Sequence, residues 1–468
     1  MDIKLRFFGA AQNVTGSCYL IEANGSRILI DCGLYQERDL KERNWDAFPI
    51  PANSIDAVLL THAHLDHCGR IPKLSKEGFK GPVYATAATA DIAKIIMLDS
   101  AHIQEEDVKH KLKRHEKEGR TSPFPYEPLY TTEDAEDAVG LLQRAPYEKE
   151  VSIADGISAA FFEAGHIFGS TSIKLKITQG EESRTILFSG DVGRWDVPII
   201  RDPAVIGAAD YVLVESTYGN RDHKPVADIP DALADVVNQT VERGGNIVIP
   251  SFAVERTQEL LFHLSNLLND KRIPLLPAYV DSPMAVRVTE VFQKHPELFD
   301  DETNEMIRNG QHPCDFAGLE MARTTDQSKA IKEVNGSAII IAGSGMCTGG
   351  RIKHHLKNNI TDAKNTILFV GYQAVGTLGR IILEGIEEVR IHGQKWPVHA
   401  RIEKINGFSA HADRNELIRW LDGIGSAPKK VFVVHGEPDA ANSFAEKISA
   451  EKGWPVHVPA YDEELVLD

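Results

Sequence analysis

Cysteine is scarce in this sequence and follows no framework. The five cysteines, Cys18, Cys32, Cys68, Cys314 and Cys347, are an odd, scattered set without a Cys-x-x-Cys pair. They fit a reducing compartment, the cytoplasm, better than a disulfide scaffold. Long apolar runs are also missing, since none approaches the roughly 18 residues that a membrane-spanning helix requires, and no membrane association is expected. The first residues, Met1-Asp2-Ile3-Lys4-Leu5-Arg6-Phe7, alternate as a strand does and lack the continuous apolar stretch of a signal peptide. Positive charge is in deficit: 51 Lys and Arg stand against 68 Asp and Glu, a net charge of −17. An acidic chain repels polyanions at long range, so a nucleic acid would need a local basic surface or metal ions to hold its phosphates. Charge alone favours a small-molecule enzyme. The remaining composition, 42% hydrophobic and 25% charged over 468 residues, is that of a globular chain with two or three domains.

What the sequence does contain is a dense histidine cluster, Thr61-His62-Ala63-His64-Leu65-Asp66-His67-Cys68-Gly69. It directly follows the apolar run Ala57-Val58-Leu59-Leu60, which reads as a buried strand. A chain leaving that strand in extended form points His62 and His64 to the same side, because strand side chains alternate with a period of two. If Asp66 and His67 begin a turn or helix, they swing towards a point beside the first. The pattern offers two imidazoles to one metal and a carboxylate plus an imidazole to a second. Such donors suit zinc, with manganese or iron as competitors.

Further candidates lie where apolar runs end. Asn24-Gly25 is a hairpin signal, and the strand after it closes on Asp31. A carboxylate there reads either as a solvated turn residue or as an acceptor that orients a metal-bound histidine or water. His166 follows the run 158–163 and Asp191 follows the run 185–188, both among small residues that let the backbone approach a metal. An aspartate bridging two cations is a natural way to hold them about 3.5–4 Å apart. Residues 87–118 read as mainly helical and carry the most basic run in the chain, 109–115. It is either a solvated helix face or a phosphate-backbone contact through Lys109, Lys113 and Arg114. The Pro-rich stretch 121–128 reads as a loop.

From residue 210 the pattern changes. Apolar runs at 211–214, 246–250, 278–281, 338–342 and 366–370 alternate with helical segments. Ser282 and Pro283 are well placed as the N-cap and first residue of one helix. This alternation predicts a second domain inserted in the first, with a mostly parallel sheet covered on both faces. Its Gly-rich segment 343–350 reads either as a tight turn or as a phosphate site built on Ser344, Gly345 and neighbouring N–H groups. The segment lacks the Lys-Ser/Thr ending of a P-loop, so no nucleotide cofactor follows. Residues 402–405 then lead to Ser409-Ala410-His411, and 431–434 lead to His435-Gly436-Glu437.

Asp31, the His62/His64/Asp66/His67 cluster, His166 and Asp191 resemble, in order and spacing, the successive motifs of the metallo-β-lactamase superfamily. Glu215, Ser409-Ala410-His411 and Val434-His435-Gly436-Glu437 resemble the additional motifs of its β-CASP branch, which processes nucleic acids. The histidine at position 435 favours the RNA-processing side, similar to the polyadenylation-factor endonuclease and J-type ribonucleases. The resemblance implies an α/β fold: an αβ/βα sandwich with an inserted β-CASP domain. The expected boundaries are 1–209 and 386–468 for the sandwich and 210–385 for the insert. It further implies two divalent ions, zinc or else manganese. His62, His64 and His166 would hold one, Asp66, His67 and His435 the other, with Asp191 bridging and Asp31 behind them. His411 would act as general acid, supported by Glu215. The implied partner is RNA, cut endonucleolytically, with 5′-to-3′ exonuclease action as the alternative; a homodimer is compatible. No basic tail or added RNA-binding module is apparent, so a minimal stand-alone ribonuclease is expected. A small-ester or lactam hydrolase and a non-catalytic RNA-binding scaffold are the readings from other classes.

Overall fold

The computed structural model describes residues 1–121, 125–223, 228–334, 336–374 and 376–468. Ser122, Pro123 and Phe124 of the expected Pro-rich loop lie outside the described residues. The chain divides into two compact units. The first comprises Met1–Trp195, Asp202–Asp222 and His411–Asp468, the second Asp196–Arg201 and His223–Ala410.

The strands in chain order begin with β1 (Ile3–Gly9), β2 (Cys18–Ala23), β3 (Ser26–Ile30), β4 (Ala57–Leu59), β5 (Val83–Ala85) and β6 (Leu142–Arg144). The next are β7 (Val151–Ala154), β8 (Ile157–Glu163), β9 (Thr171–Gln179), β10 (Glu182–Phe188) and β11 (Tyr211–Glu215). The second unit holds β12 (Ile247–Pro250), β13 (Ala278–Asp281), β14 (Leu319–Met321), β15 (Ile339–Ala342), β16 (Thr366–Phe369), β17 (Glu388–Ile391), β18 (Gln394–Pro397) and β19 (Arg401–Lys404). The chain closes with β20 (Lys430–Val434), β21 (Val456–His457) and β22 (Glu464–Leu467).

In the first unit two seven-stranded sheets, ordered β22-β1-β2-β3-β4-β5-β6 and β21-β20-β11-β10-β9-β8-β7, enclose a shared core. Asn24 and Gly25, both at positive φ, turn β2 into β3 as their sequence predicts. The inner strands of the second sheet are apolar on both faces because both are covered. Ile186, Phe188, Leu213, Phe432 and Val434 point into the sandwich. Leu187, Val212, Val214, Val431 and Val433 point the other way, against the helices Arg414–Asp422 and Pro438–Lys452.

The second unit is built on a six-stranded sheet, β14-β13-β15-β12-β16-β19, in which every neighbouring pair is parallel. Its two faces carry separate cores. Ile247, Ile249, Ile339 and Ile341 pack with helices Ile229–Glu242, Arg256–Asn269 and Pro283–Lys294. Val248, Ile340, Ile367 and Phe369 pack with helices Ile352–Asn359 and Leu378–Leu383. Ser282 caps its helix by accepting from the Ala285 N–H, with Pro283 at the first position.

The units differ from the expected boundaries at both junctions. Residues 210–222 belong to the first unit, because β11 lies between β10 and β20 in its sheet. Residues 386–410 belong to the second unit, because β19 pairs with β16. A strand's hydrogen-bonding neighbour is a long-range choice that its own apolar pattern does not encode.

Candidate metal centre

The side chains gathered in the first unit sit where strands stop. β10, β11 and β20 are parallel neighbours, so Asp191, Glu215 and His435 emerge at the same edge. The chain leaves β4 through Thr61 and His62, then His64 in extended conformation starts the short helix Leu65–Cys68 that carries Asp66 and His67. Two glycines let these segments close up. A Cβ on Gly33 would overlap the Asp66 backbone carbonyl, and one on Gly193 would overlap the carbonyl of Gly165, beside His166.

Two groups of ligand atoms converge around Asp191. His64 Nδ1 lies 3.1 Å from His62 Nε2 and 3.2 Å from His166 Nε2. Asp191 Oδ2 is 3.4 Å from His62 Nε2 and 3.5 Å from His166 Nε2. The other carboxylate oxygen, Oδ1, is 3.3 Å from His67 Nε2 and 3.5 Å from His435 Nε2. His67 and His435 meet at 3.1 Å, and Asp66 Oδ2 is 3.6 Å from His435 Nε2. Each carboxylate oxygen of Asp191 thus belongs to a different group.

The hydrogen bonds behind these atoms set which nitrogen faces inward. Asp31 Oδ2 accepts from His67 Nδ1 at 2.7 Å and from the Thr61 hydroxyl at 2.8 Å. The Thr61 oxygen in turn lies 3.1 Å from His62 Nδ1. Thr217 repeats the device: its hydroxyl donates to the His435 carbonyl at 3.2 Å and stands 3.1 Å from His435 Nδ1. A proton on each Nδ1 satisfies every contact and leaves the Nε2 lone pairs of His62, His67 and His435 directed into the site. The sequence pattern does not mark Thr61 and Thr217 as functional, although both lie close to residues that it does mark. A threonine announces this role only through the direction of its hydroxyl.

Electrostatics favours a cation here. Burial pulls the His62 pKa down to about 3 and the His64 pKa to about 4, so both are neutral and ready to ligate. Burial opposes ionisation of Asp191, but His435 and His67, whose own pKa values Asp191 raises, outweigh it and hold the carboxyl well below its usual range. A bound ion would take the place of their inward protons. Oδ1 of Asp191 is nevertheless buried and accepts no hydrogen bond. A buried anionic oxygen without a donor, surrounded by inward-facing imidazole nitrogens, is what a divalent metal ion satisfies. The donor set fits such an ion.

Glu215 and His411 adjoin this centre, and Asp191, Glu215 and His411 form a third convergent group. Glu215 is fully buried; its Oε1 accepts from the Val192 N–H at 2.8 Å and lies 3.1 Å from His411 Nδ1. Burial lowers the His411 pKa, yet the Glu215 carboxylate overrides it and raises the value to about 9. The His411 ring sits 3.9 Å from Asp191 through Nδ1 and 4.5 Å from the His166 ring centroid.

The candidate RNA contacts lie on other elements. Lys109, Lys113 and Arg114 are exposed on the distal half of the helix Ala87–Glu118, and Lys109 pairs with Glu106 at 2.8 Å. Ser344 and Gly345 belong to the second unit, where Ser344 Oγ accepts from the N–H groups of Thr348 and Gly349.

Comparisons with known proteins identify the family. Residues 12–211 match the model of the metallo-beta-lactamase superfamily, 257–382 the Beta-Casp domain, and 395–459 the Zn-dependent metallo-hydrolase RNA specificity domain. A ribonuclease of Thermus thermophilus is 39% identical over 97% of this chain and 98% of its own length. The chain belongs to the β-CASP branch of the metallo-β-lactamase superfamily. An RNase J-like protein of Methanocaldococcus jannaschii is 31% identical over 98% of both chains. The transcription termination factor FttA of Methanosarcina mazei is 33% identical, over 96% of this chain and 70% of the factor. A solved structure of a protein of unknown function from Enterococcus faecalis V583 shares the fold, with a TM-score of 0.56 at 11% identity and 100% coverage of both chains. For this β-CASP chain, no described helix is long and apolar enough to cross a membrane, and all five cysteines are buried and free of disulfides.

Proposed function

We propose that this chain is a metal-dependent ribonuclease that hydrolyses RNA phosphodiester bonds with two divalent ions, zinc being the metal its donors suit best. The observation that carries the reading is Asp191, whose two oxygens face two different sets of ligands. His62, His64 and His166 would hold one ion, Asp66, His67 and His435 the other, with Asp191 shared. Such ions supply Lewis acidity towards phosphate oxygens and an activated water at neutral pH. Asp31, Thr61 and Thr217 hold the imidazoles in the tautomer that ligation needs. His411 serves as general acid. Glu215 keeps a proton on Nδ1, and the Nε2 proton passes to the departing 3′ oxygen, leaving 3′-hydroxyl and 5′-phosphate ends. The ribonuclease relative aligned over nearly the whole chain and the matched RNA specificity domain support RNA as the substrate class.

Cleavage is read as endonucleolytic. A terminal-phosphate site in the Gly-rich loop would need free donors, whereas the Thr348 and Gly349 N–H groups are directed at Ser344 Oγ and Arg351 is paired with Asp281 at 2.6 Å. The direct test is metal analysis with RNA cleavage. Wild-type protein should carry two ions per chain and lose activity to a chelator, and Asp191→Ala should lose both metal and cleavage. A single fully occupied ion in active protein would sink the two-ion assignment.

A further inference from the structure

The second unit carries two exposed aromatic side chains where α/β proteins of this kind take ligands. β15, β12 and β16 are adjacent parallel strands. The helix Arg256–Asn269 that follows β12 packs on one face of the sheet. The helices Ile352–Asn359 and Leu378–Leu383 that follow β15 and β16 pack on the other. Connections that part to opposite faces open a crevice beyond the carboxyl ends of the strands. Phe252 lies two residues beyond β12, Gly345 three beyond β15, and Gly371 and Tyr372 just beyond β16.

These loops converge on the Phe252 ring. A Cβ on Gly345 would meet it at 2.6 Å and one on Gly371 at 3.4 Å, so the ring packs against both backbones. Phe252 is still 39% exposed, and Tyr372, next to Gly371, is 53% exposed. The platform is braced from behind. The Thr257 hydroxyl donates to the Phe252 carbonyl at 2.7 Å, and Ser251 N–H to Ala342 O at 3.0 Å. The buried Gln373 amide donates to the Gly345 carbonyl at 2.9 Å, tying the two glycine loops together. The Phe252 ring is held by the packing before any ligand arrives, which lowers the entropic cost of binding.

We propose that Phe252 and Tyr372 stack on nucleobases of single-stranded RNA, resting on the ribonuclease reading above. Base–aromatic stacking tolerates any sequence because every base has a π-face. It also needs no positive charge, which this chain has in deficit at −17. A chain with an excess of acidic residues gains from contacts of this kind.

The experiment uses the metal-loaded full chain and initial rates on a linear RNA, with a strand of abasic ribose phosphates as competitor. Phe252→Leu keeps an apolar side chain against Gly345 and Gly371 but removes the π-face; Tyr372→Ala removes a mostly exposed ring. Each should raise KM for RNA by about 5- to 150-fold per lost stack with kcat little changed. Inhibition by the abasic strand should stay as in wild type, and Phe252→Trp and Tyr372→Phe should restore KM. Unchanged KM in the Leu and Ala variants overturns the proposal, as does an equal weakening of the abasic competitor, which would signal a backbone contact or a folding defect. If the wild-type chain neither binds nor cuts RNA, the ribonuclease reading itself fails and the platform with it.

Discussion

At the residue scale the proposed centre would separate groups that hold metal from groups that move protons. His411 is bonded to Glu215, and that division is testable. His411→Ala should keep its metal content and RNA affinity while cleavage slows by about 10²–10⁴-fold, the usual contribution of a general acid. Loss of metal from this variant would return His411 to the ligands. Thr217 gives the opposite signature, because it acts only by fixing His435. Thr217→Val removes the acceptor for Nδ1 at nearly constant volume, and metal affinity measured by competition with a chelator should fall by roughly 10- to 100-fold. The residues with charge or imidazole were legible in the sequence because each follows an apolar run among small neighbours, as Asp191 does after Phe188. The threonines were not. Their contribution is one directed hydroxyl, and no spacing rule distinguishes it from the many threonines that face solvent or core.

At the scale of elements, Asp281 at the end of β13 is the clearest anchor of the second unit. Its buried carboxylate accepts from Arg351 and the Ser328 hydroxyl, each at 2.6 Å, and lies 2.6 Å from His355 Nε2. Helix Ile352–Asn359 and helix Thr325–Ala330 are thereby tied to one strand end. Burial opposes ionisation of Asp281, yet these donors prevail and hold its pKa below the ordinary carboxylate value. A depressed carboxylate stabilises the fold above the unfolded-state pKa of about 3.9 and loses that contribution as the pH falls through the folded value. Asp281→Asn should therefore cost about 3 kcal/mol in urea unfolding at pH 7, and its gap to wild type should close below about pH 4. A gap that widens in acid would contradict the assignment. Sequence pattern found β13 and the Ser282 cap after it, since both are local signals. It misplaced β11 and β19, whose units depend on partners far along the chain.

For the whole molecule the endonuclease reading makes a prediction about how RNA enters. An endonuclease accepts an internal stretch and needs no end. A circular RNA should then be cut at a rate close to that of a linear RNA of the same sequence, giving first a linear product of full length on a denaturing gel. Circular RNA left intact while a linear 5′-monophosphorylated RNA is degraded to mononucleotides would establish the exonuclease instead.

The ligand set also has an order in time. His62, His64, Asp66 and His67 are made early, whereas His435, which meets His67 at 3.1 Å, lies 368 residues further along the chain. β20, which His435 directly follows, also pairs with β11 in the sheet. At about 5–20 residues per second, synthesis takes roughly 20–70 s to cover that distance. On the proposed assignment the growing chain lacks part of its ligand set for that interval, so RNA cleavage should begin only once β20 and His435 have been made.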